Sequence, residues 1–303
     1  MFILTTDLID SMETIKNSIL SIQVAEHGAE LQSIQKDGKE YLWQGDAKFW
    51  GRRSPVLFPT VGRVWNNVYR HEGISYDMGQ HGFARDMDFQ LVSKEENKIE
   101  YVLESTPETL AKYPFPFRLH IGYELVENQV IVKWRVENIG ERELYFQIGA
   151  HPAFYFPNFD PTTSDRCFFA FDKTEALQYI CPVEKGCASP ETHTLELNKE
   201  GLMPIDIHSF DCDTYIFENK QLKKITLLDK AKAPYLSLAF DTPLVAIWSP
   251  TKEHPDCPFI CIEPWYGRCD TVGYEGEFKE KDWMQTLAPG AIFEASYQII
   301  IEA

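Results

Sequence analysis

Hydrophobic and polar residues alternate with a period of two along most of the chain. The segment "RLHIGYEL" places Leu119, Ile121, Tyr123 and Leu125 on one face and polar or small residues on the other. The next segment, "VIVKWRV", repeats the pattern, and the short "VENQ" between them predicts a hairpin turn. Alternation of this kind is typical of antiparallel strands that bury one face, so a hydrophobic core on one side of a sheet is expected.

The same pattern recurs in further segments separated by short turns. A second hairpin is predicted where "SKEENK" joins "DFQLV" to "IEYVLE". The other segments with this pattern are "LSIQV", "KITLLD", "YLSLAF", "PLVAIW", "FICIEP" and "FEASYQIII". Helical signals are few: "STPETLAKY" has a capping residue, an early proline and an acid in the first turn, and predicts one short helix. The chain is therefore predicted to be all-β, a large two-sheet antiparallel β-sandwich with few short helices.

The organisation of the chain indicates one domain over residues 12–303. A β-sandwich can hold about 200–250 residues in a single domain, and no linker, repeat or phosphate-binding glycine loop interrupts the pattern. Residues 158–208 are poorer in strand signal and richer in Pro, Thr and Cys, so we expect long loops there. Residues 1–11 precede the first strand pattern and are interpreted as an N-terminal extension.

Composition narrows the class of function. The formal net charge of -17 disfavours contact with nucleic acid and with anionic membranes, so an anionic substrate would need a local cluster of Arg or Lys. No apolar run approaches the ~20 residues of a membrane helix. The N-terminal segment carries acids where a signal peptide would carry Lys or Arg. A cytoplasmic protein is expected.

The cysteines point to the same compartment. There are seven, an odd number, and none are spaced as C-x-x-C. A chain of this length does not need disulfides, so reduced thiols are expected. Because the spacing of zinc ligands is also lacking, no metal site is predicted.

Four polar residues interrupt apolar or glycine-rich segments and are the candidates for chemistry. They are His81 in "GQHGFARD", His151 in "GAHPAF", Glu263 in "FICIEPW" and Arg63 in "FPTVGRV". A proline directly follows His151 and Glu263, which marks places where a strand stops or bends and a side chain can face a cleft. Taken alone, each has a structural alternative: a hydrogen-bonded histidine, a surface carboxylate or an ion-paired arginine.

Taken together, the segments that contain these residues resemble those of a known family. "GAELQSIQKDGKEYLWQGDAKFWGRRSPVLFPTVGRV", "HGFARD", "IGAHPAF" and "CIEPWYG", in that order, resemble the aldose 1-epimerase (galactose mutarotase-like) superfamily. The chain looks most similar to the LacX-like branch, near the hexose-6-phosphate mutarotases, over about residues 28–303. The resemblance implies a β-sandwich, of the galactose mutarotase-like supersandwich type, with a sugar cleft on one face.

The resemblance also implies roles for individual residues. His151 matches the general acid of the family, Glu263 its general base, and His81 a second histidine near the ring oxygen of the sugar. Arg63 and Asp213 match residues that bind the substrate. The segment "IEPWYGRCD" after the base differs from that of galactose mutarotases, so the identity of the sugar stays open.

The implied reaction is the exchange of α and β anomers of an aldohexose or a hexose 6-phosphate. One proton leaves the C1 hydroxyl and another reaches the ring oxygen, and each positioned acid or base contributes roughly 10²–10⁴-fold. No cofactor is needed, and the partner is a small-molecule sugar or sugar phosphate, with a monomer and a homodimer both open. Trp265 and Tyr266 could stack on the apolar face of the pyranose, or simply pack the cleft wall.

Other interpretations of the arginines and of the function are open. Arg52 and Arg53, with Arg63 and Arg85, could bind a phosphate in a bidentate manner, although surface ion pairing is the favoured explanation for Arg52 and Arg53. A non-catalytic carbohydrate-binding or regulatory protein of the same fold is the alternative function. A sugar hydrolase would need a second carboxylate, for which only Asp213 offers itself.

Overall fold

The structure is a computed structural model and describes residues 11–302. Short antiparallel strands dominate it. In chain order they are β1 (Met12–Lys16), β2 (Leu20–Ala25), β3 (Leu31–Lys36), β4 (Lys39–Glu40), β5 (Val56–Leu57), β6 (Val68–His71), β7 (Ile74–Asp77), β8 (Gln90–Lys94), β9 (Lys98–Glu104), β10 (Phe117–Val126), β11 (Gln129–Asn138), β12 (Leu144–Phe146), β13 (Ile148–Ala150), β14 (Ala153–Tyr155), β15 (Asp165–Phe171), β16 (Leu177–Tyr179), β17 (Pro182–Glu184), β18 (Cys187–Ala188), β19 (His193–Leu195), β20 (Leu202–Asp206), β21 (Tyr215–Phe217), β22 (Lys224–Leu228), β23 (Pro234–Phe240), β24 (Leu244–Trp248), β25 (Phe259–Tyr266), β26 (Gln285–Leu287) and β27 (Ile292–Ile301).

The predicted helix is α1, Pro107–Lys112. Thr106 caps it: Thr109 N–H donates to Thr106 Oγ1 at 3.2 Å, and Thr106 N–H donates to Thr109 Oγ1 at 2.8 Å. Single 3₁₀ turns occur at Trp65–Asn67, Ala84–Asp86, Pro250–Lys252 and Phe278–Glu280. None of the helices within residues 11–302 has the length and apolar character needed to cross a bilayer.

Two large sheets form the sandwich. One has nine strands in the order β20-β15-β22-β23-β27-β11-β10-β9-β8, and the other has six, ordered β21-β24-β25-β13-β5 with β14 also pairing with β25. Both predicted hairpins, β8/β9 and β10/β11, are present. Smaller sheets, the largest being β1-β2-β3-β4, accompany them within the described part of the chain. The predicted all-β antiparallel sandwich is therefore confirmed.

The main core lies between the two large sheets. Leu119, Ile121 and Trp134 of the nine-stranded sheet belong to the same buried cluster as Ile260 and Ile262 of β25. Fully burying an aliphatic side chain of this size stabilises the fold by about 1.5–3 kcal/mol. Because successive residues of a strand point to opposite faces, the odd-numbered residues of β25 face away from this core.

The expectation of long loops over residues 158–208 is wrong. This stretch contains β15 to β20, and β15 and β20 pair with each other at the edge of the nine-stranded sheet. Four of the six strands have only two or three residues, too few to show a period of two. Pro204 lies in β20, which is tolerated because β20 is the edge strand.

The first described strand begins at Met12, whereas the first strand predicted from the sequence, "LSIQV", corresponds to β2. The predicted N-terminal extension lies, apart from Ser11, outside the described residues. The cysteines of the chain carry free thiols, and all but Cys212 are buried.

Candidate active site

His151 occupies a break in the six-stranded sheet. β13 and β14 both pair with β25, and His151 and Pro152 lie in the gap between them. Pro152 has no N–H to donate to the ladder, so the strand is interrupted there. Opposite the break, His151 Nε2 lies 3.3 Å from Glu263 Oε2. Only 8% of His151 and 1% of Glu263 are exposed, so the fold brings an imidazole and a carboxyl group into contact in a nearly dry place.

Aromatic rings hold the His151 imidazole. Trp50 stacks on it with ring centroids 4.7 Å apart, and Trp248 meets it edge-on at 5.6 Å. The His81 ring is also edge-on, at 5.5 Å. Sequence reasoning missed Trp50 and Trp248. The available signal was their position, since one precedes the "GRR" segment and the other ends a buried strand.

His81 is fixed as a hydrogen-bond donor. Gly62 N–H donates to His81 Nδ1 at 3.0 Å, so the proton of the neutral ring is assigned to Nε2. The backbone of His81 has φ 66°, a left-handed conformation that is costly for a residue with a side chain. The glycine that follows is required, because a Cβ on Gly82 would lie 2.2 Å from Phe58 O. The "HG" pair in the sequence thus places a histidine where the chain makes a tight contact.

Two further predicted residues line the same space. The Asp213 carboxylate accepts a hydrogen bond from Thr214 Oγ1 at 3.2 Å, and the residue has φ 73°. The indole of Trp265 lies over Gly149, where a Cβ would come within 2.5 Å of Trp265 Cδ1. Its N–H donates to Ala150 O at 3.2 Å, which fixes the ring in place.

These residues surround a cavity of about 460 Å³ on the face of the six-stranded sheet that points away from the main core. That volume lies within the range of about 300–1,000 Å³ common for small-molecule sites. A larger concavity of about 720 Å³ lies around His71 and Phe115. The smaller cavity is the candidate site because it holds the contacting acid and base. Its lining residues are Trp50, Arg52, Gly62, Gln80, His81, Arg85, His151, Pro182, Gly186, Asp213, Thr214, Ile216, Trp248, Glu263, Trp265 and Cys269.

Two arginines give one side of the cavity a positive charge. Arg85 Nη2 donates to Gln80 O at 2.7 Å, while its buried Nε has no hydrogen-bond partner among residues 11–302. Arg52 Nη2 donates to Asp86 Oδ1 at 2.8 Å. Burial and the neighbouring Arg52 charge lower the pKa of Arg85 to about 10. One carboxylate therefore compensates two guanidinium groups only in part.

Burial shifts the acid and the base in opposite directions. It raises the pKa of Glu263 well above its ordinary value, and the Asp213 charge adds to this. Burial also lowers the pKa of His151 to about 3, with a further contribution from the Arg85 charge. A neutral carboxyl group therefore faces a neutral imidazole, and the pair holds one exchangeable proton. The pKa of His81 is lowered well below its ordinary value, first by burial.

Three predicted residues lie outside the cavity. Tyr266 points to the opposite face of β25 from Trp265 and packs edge-on against Phe293 at 5.0 Å, so the expectation that both rings share the cleft fails. Arg63 Nη1 donates to Asn67 Oδ1 at 3.3 Å, and the lining residues do not include it. Arg53 Nη1 is directed to Gln32, whose side-chain oxygen accepts at 2.7 Å.

A possible cation-binding group also exists at the base of the cavity. His151, Cys261 and Glu263 each offer one ligand atom, and these atoms lie within 4.8 Å of one another. Sequence spacing gave no sign of this group, because two members come from β25 and the third from the break between β13 and β14.

The chain matches a known protein family over nearly its whole length. The family model described as "Aldose 1-epimerase" matches residues 11–299. The plasmid-encoded protein LacX of Lactococcus lactis subsp. lactis is 29% identical over 302 residues, covering 95% of this chain and 98% of LacX.

Solved structures show the same fold. A galactose mutarotase related enzyme from Lactobacillus acidophilus superposes with a TM-score of 0.89 at 29% identity, covering 97% of this chain and 98% of that one. A galactose mutarotase-like protein from Lactobacillus casei ATCC 334 gives a TM-score of 0.88 at 30% identity, covering 96% of this chain and 100% of that one. The galactose 1-epimerase of Lactobacillus acidophilus NCFM, at 13% identity and a TM-score of 0.63 over 95% of this chain and 93% of its own, shares the fold.

Proposed function

Because this chain belongs to the aldose 1-epimerase family, we propose that it interconverts the α and β anomers of an aldohexose or of its 6-phosphate by acid–base catalysis. One observation carries this proposal: His151 Nε2 and Glu263 Oε2 lie 3.3 Å apart at the wall of a cavity of small-molecule size. The family membership supports a carbohydrate epimerase, and the arrangement of residues supports the roles that follow.

Glu263 and His151 supply the two proton transfers. Glu263 removes the proton of the C1 hydroxyl while His151 delivers a proton to the ring oxygen. Both oxygens are bonded to the same carbon, so side chains that lie in contact can reach both of them. The ring opens, the C1–C2 bond turns, and the reverse transfers close the ring on the other face.

The proton count explains why a buried pair suits this reaction. Passage of the Glu263 proton to His151 turns the neutral pair into a carboxylate and an imidazolium before ring opening, and after opening the pair is again a carboxylic acid and a neutral imidazole. Both states hold one proton, so the pair neither takes up nor releases a proton during turnover. Burial stabilises the neutral state, which accompanies the open-chain sugar.

His81 stabilises the charge that develops on the ring oxygen. Its Nε2–H is a donor, because Nδ1 already accepts from Gly62 N–H. The lowered pKa keeps the ring neutral, so it donates a hydrogen bond without competing with His151 as the acid. Asp213 accepts hydrogen bonds from sugar hydroxyls, and the indoles of Trp50, Trp248 and Trp265 form walls for the apolar face of the ring.

The two arginines in the wall favour an anionic substituent on the sugar. Arg52 and Arg85 both line the cavity, and Arg85 Nε has no hydrogen-bond partner among the described residues, although Asp86 Oδ2 lies 3.8 Å away. A phosphate at C6 would accept from both guanidinium groups and offset their mutual repulsion. This supports a hexose 6-phosphate ahead of the free sugar.

Anomer-exchange NMR on a panel of aldohexoses, each with and without a 6-phosphate, tests the proposal. We expect exchange well above the buffer rate for at least one sugar, with the phosphorylated form turned over at lower concentration. Tyr266→Phe is the matched control, since this ring lies outside the cavity and should leave the rate unchanged. Sugar binding with every anomer exchanging at the buffer rate would favour the non-catalytic carbohydrate-binding alternative and contradict the proposal.

A further inference from the structure

Cys261 is a buried thiol beside the acid–base pair that anomer exchange does not use. It lies two residues before Glu263 on the same face of β25 and is fully buried. Its sulfur, a nitrogen of His151 and an oxygen of Glu263 lie within 4.8 Å of one another. Three different kinds of donor atom therefore lie close together, two of them on side chains that line the cavity.

Two buried polar atoms of these side chains lack a hydrogen-bond partner. Glu263 Oε2 and His151 Nδ1 are buried and have no hydrogen-bond partner among residues 11–302. Glu263 is only 1% exposed. A buried carboxyl oxygen without a partner is costly, and a hydroxyl group, a proton or a metal ion would satisfy it.

The donor set selects the kind of ion. Nitrogen, thiolate sulfur and carboxylate oxygen together are ligands of Zn²⁺, which accepts three protein ligands and keeps a fourth position open. Mg²⁺ and Ca²⁺ prefer oxygen donors and would leave the thiol unused. With zinc–ligand bonds of about 2.0–2.3 Å, tetrahedral ligand atoms lie roughly 3.3–3.8 Å apart. The side chains would therefore have to close by about 1 Å around the ion.

We propose that His151, Cys261 and Glu263 bind Zn²⁺ reversibly and that the bound ion excludes the sugar. Zinc replaces two protons, one on the Cys261 thiol and one on the Glu263 carboxyl group, and both pass to solvent as the bonds to sulfur and oxygen form. The ion then occupies both the acid and the base, so binding of zinc and turnover of sugar are mutually exclusive. The inhibition rests on the proposed function, whereas the binding does not.

Cobalt substitution tests the site without any assay of activity. Co²⁺ is added to the full chain after treatment with a chelator, and the thiolate-to-cobalt charge-transfer band is recorded in the near ultraviolet. We expect the band in wild type and in Cys167→Ala, a buried thiol in the other large sheet, but not in Cys261→Ser. In a competition with a chelator, Cys261→Ser should bind zinc at least about 10-fold more weakly than wild type does. No band in wild type, or equal bands in wild type and Cys261→Ser, would overturn the proposal.

Anomer exchange measured in the same samples separates this proposal from the proposed function. Zinc should abolish exchange in wild type and in Cys167→Ala but leave Cys261→Ser active. A band that depends on Cys261 in a protein without exchange supports the site and refutes the catalytic function. Exchange that zinc does not affect, without a band, refutes the site and leaves the function. Thermal unfolding checks that Cys261→Ser folds. If Cys261→Ser does not fold, His151→Asn is used in its place, and the same loss of zinc affinity is expected.

Discussion

Replacing Glu263 by glutamine should stabilise the folded protein by an amount that increases with pH. The raised pKa of Glu263 means that the folded protein keeps this proton, while the unfolded chain loses it above the ordinary value of 4.5. The contribution of the carboxyl group to stability is therefore complete below that pH and is lost as the pH rises towards the folded-state pKa. Glutamine has the same shape and no charge to lose, so the variant lacks this penalty.

The size of the effect follows from the linkage relation. Each pH unit between the unfolded and folded pKa values is worth about 1.4 kcal/mol. Above the ordinary value of 4.5 the advantage of Glu263→Gln should therefore grow by about 1.4 kcal/mol for each pH unit, until the pH reaches the folded-state pKa. A change of that slope is readily measured against the roughly 5–15 kcal/mol that typically holds a domain folded. Activity should fall at the same time, because the variant has no base.

Urea unfolding of wild type and Glu263→Gln at several pH values between about 5 and 8 measures this difference. The pH at which the difference stops growing reports the pKa of Glu263 in the folded protein. Glu141→Gln is the matched control for the change of side chain, since Glu141 is exposed and does not line the cavity. A flat difference for Glu263→Gln would mean that this carboxyl group is ionised in the folded state and paired with a charged His151, which would refute the neutral pair.

Three further predictions concern the rest of the cavity. His81→Gln should lower kcat by about 10-fold with little change in KM, because one hydrogen bond to the transition state is worth roughly 0.5–1.5 kcal/mol. Steady-state kinetics measures both constants, and an unchanged kcat would contradict the role of His81. Gly82→Ala should lower the free energy of unfolding by at least about 1–3 kcal/mol in thermal or urea unfolding, because the added Cβ would lie 2.2 Å from Phe58 O. Gly38→Ala is the control and should cost much less, since Gly38 has a similar φ of 78° but open space around it. Equal losses in the two variants would show that backbone strain alone is responsible. Arg85→Gln should raise KM for a hexose 6-phosphate by about 10-fold or more, because a hydrogen bond to a charged group is worth ~1.5–3 kcal/mol. The KM for the free sugar should stay unchanged. Equal changes in KM for both sugars would show that Arg85 does not bind the phosphate.

Long alternating strands were predictable because their pattern reports a buried face directly. β10 and β11 each have ten residues and show the alternation throughout. Over residues 158–208 the strands are short, and their pairing depends on partners far along the chain, such as β22 beside β15. No local pattern carries that information.

The candidate site was likewise predictable only in part. His151, Glu263 and His81 could be selected individually, since each interrupts an apolar or glycine-rich segment. Their contact depends on the register of β13 and β14 against β25, which the sequence does not reveal. One error was avoidable: the period of two already puts Trp265 and Tyr266 on opposite faces of their strand.

The claim that one imidazole and one carboxyl group act as a unit has a direct test. Anomer-exchange rates are compared by NMR for wild type, Glu263→Gln, His151→Asn and the double variant on the best substrate. Each single variant should lose roughly 10²–10⁴-fold, and the double variant should be no slower than the worse single one, because neither group works without the other. Single variants that retain the wild-type rate, or losses that multiply in the double variant, would contradict the account.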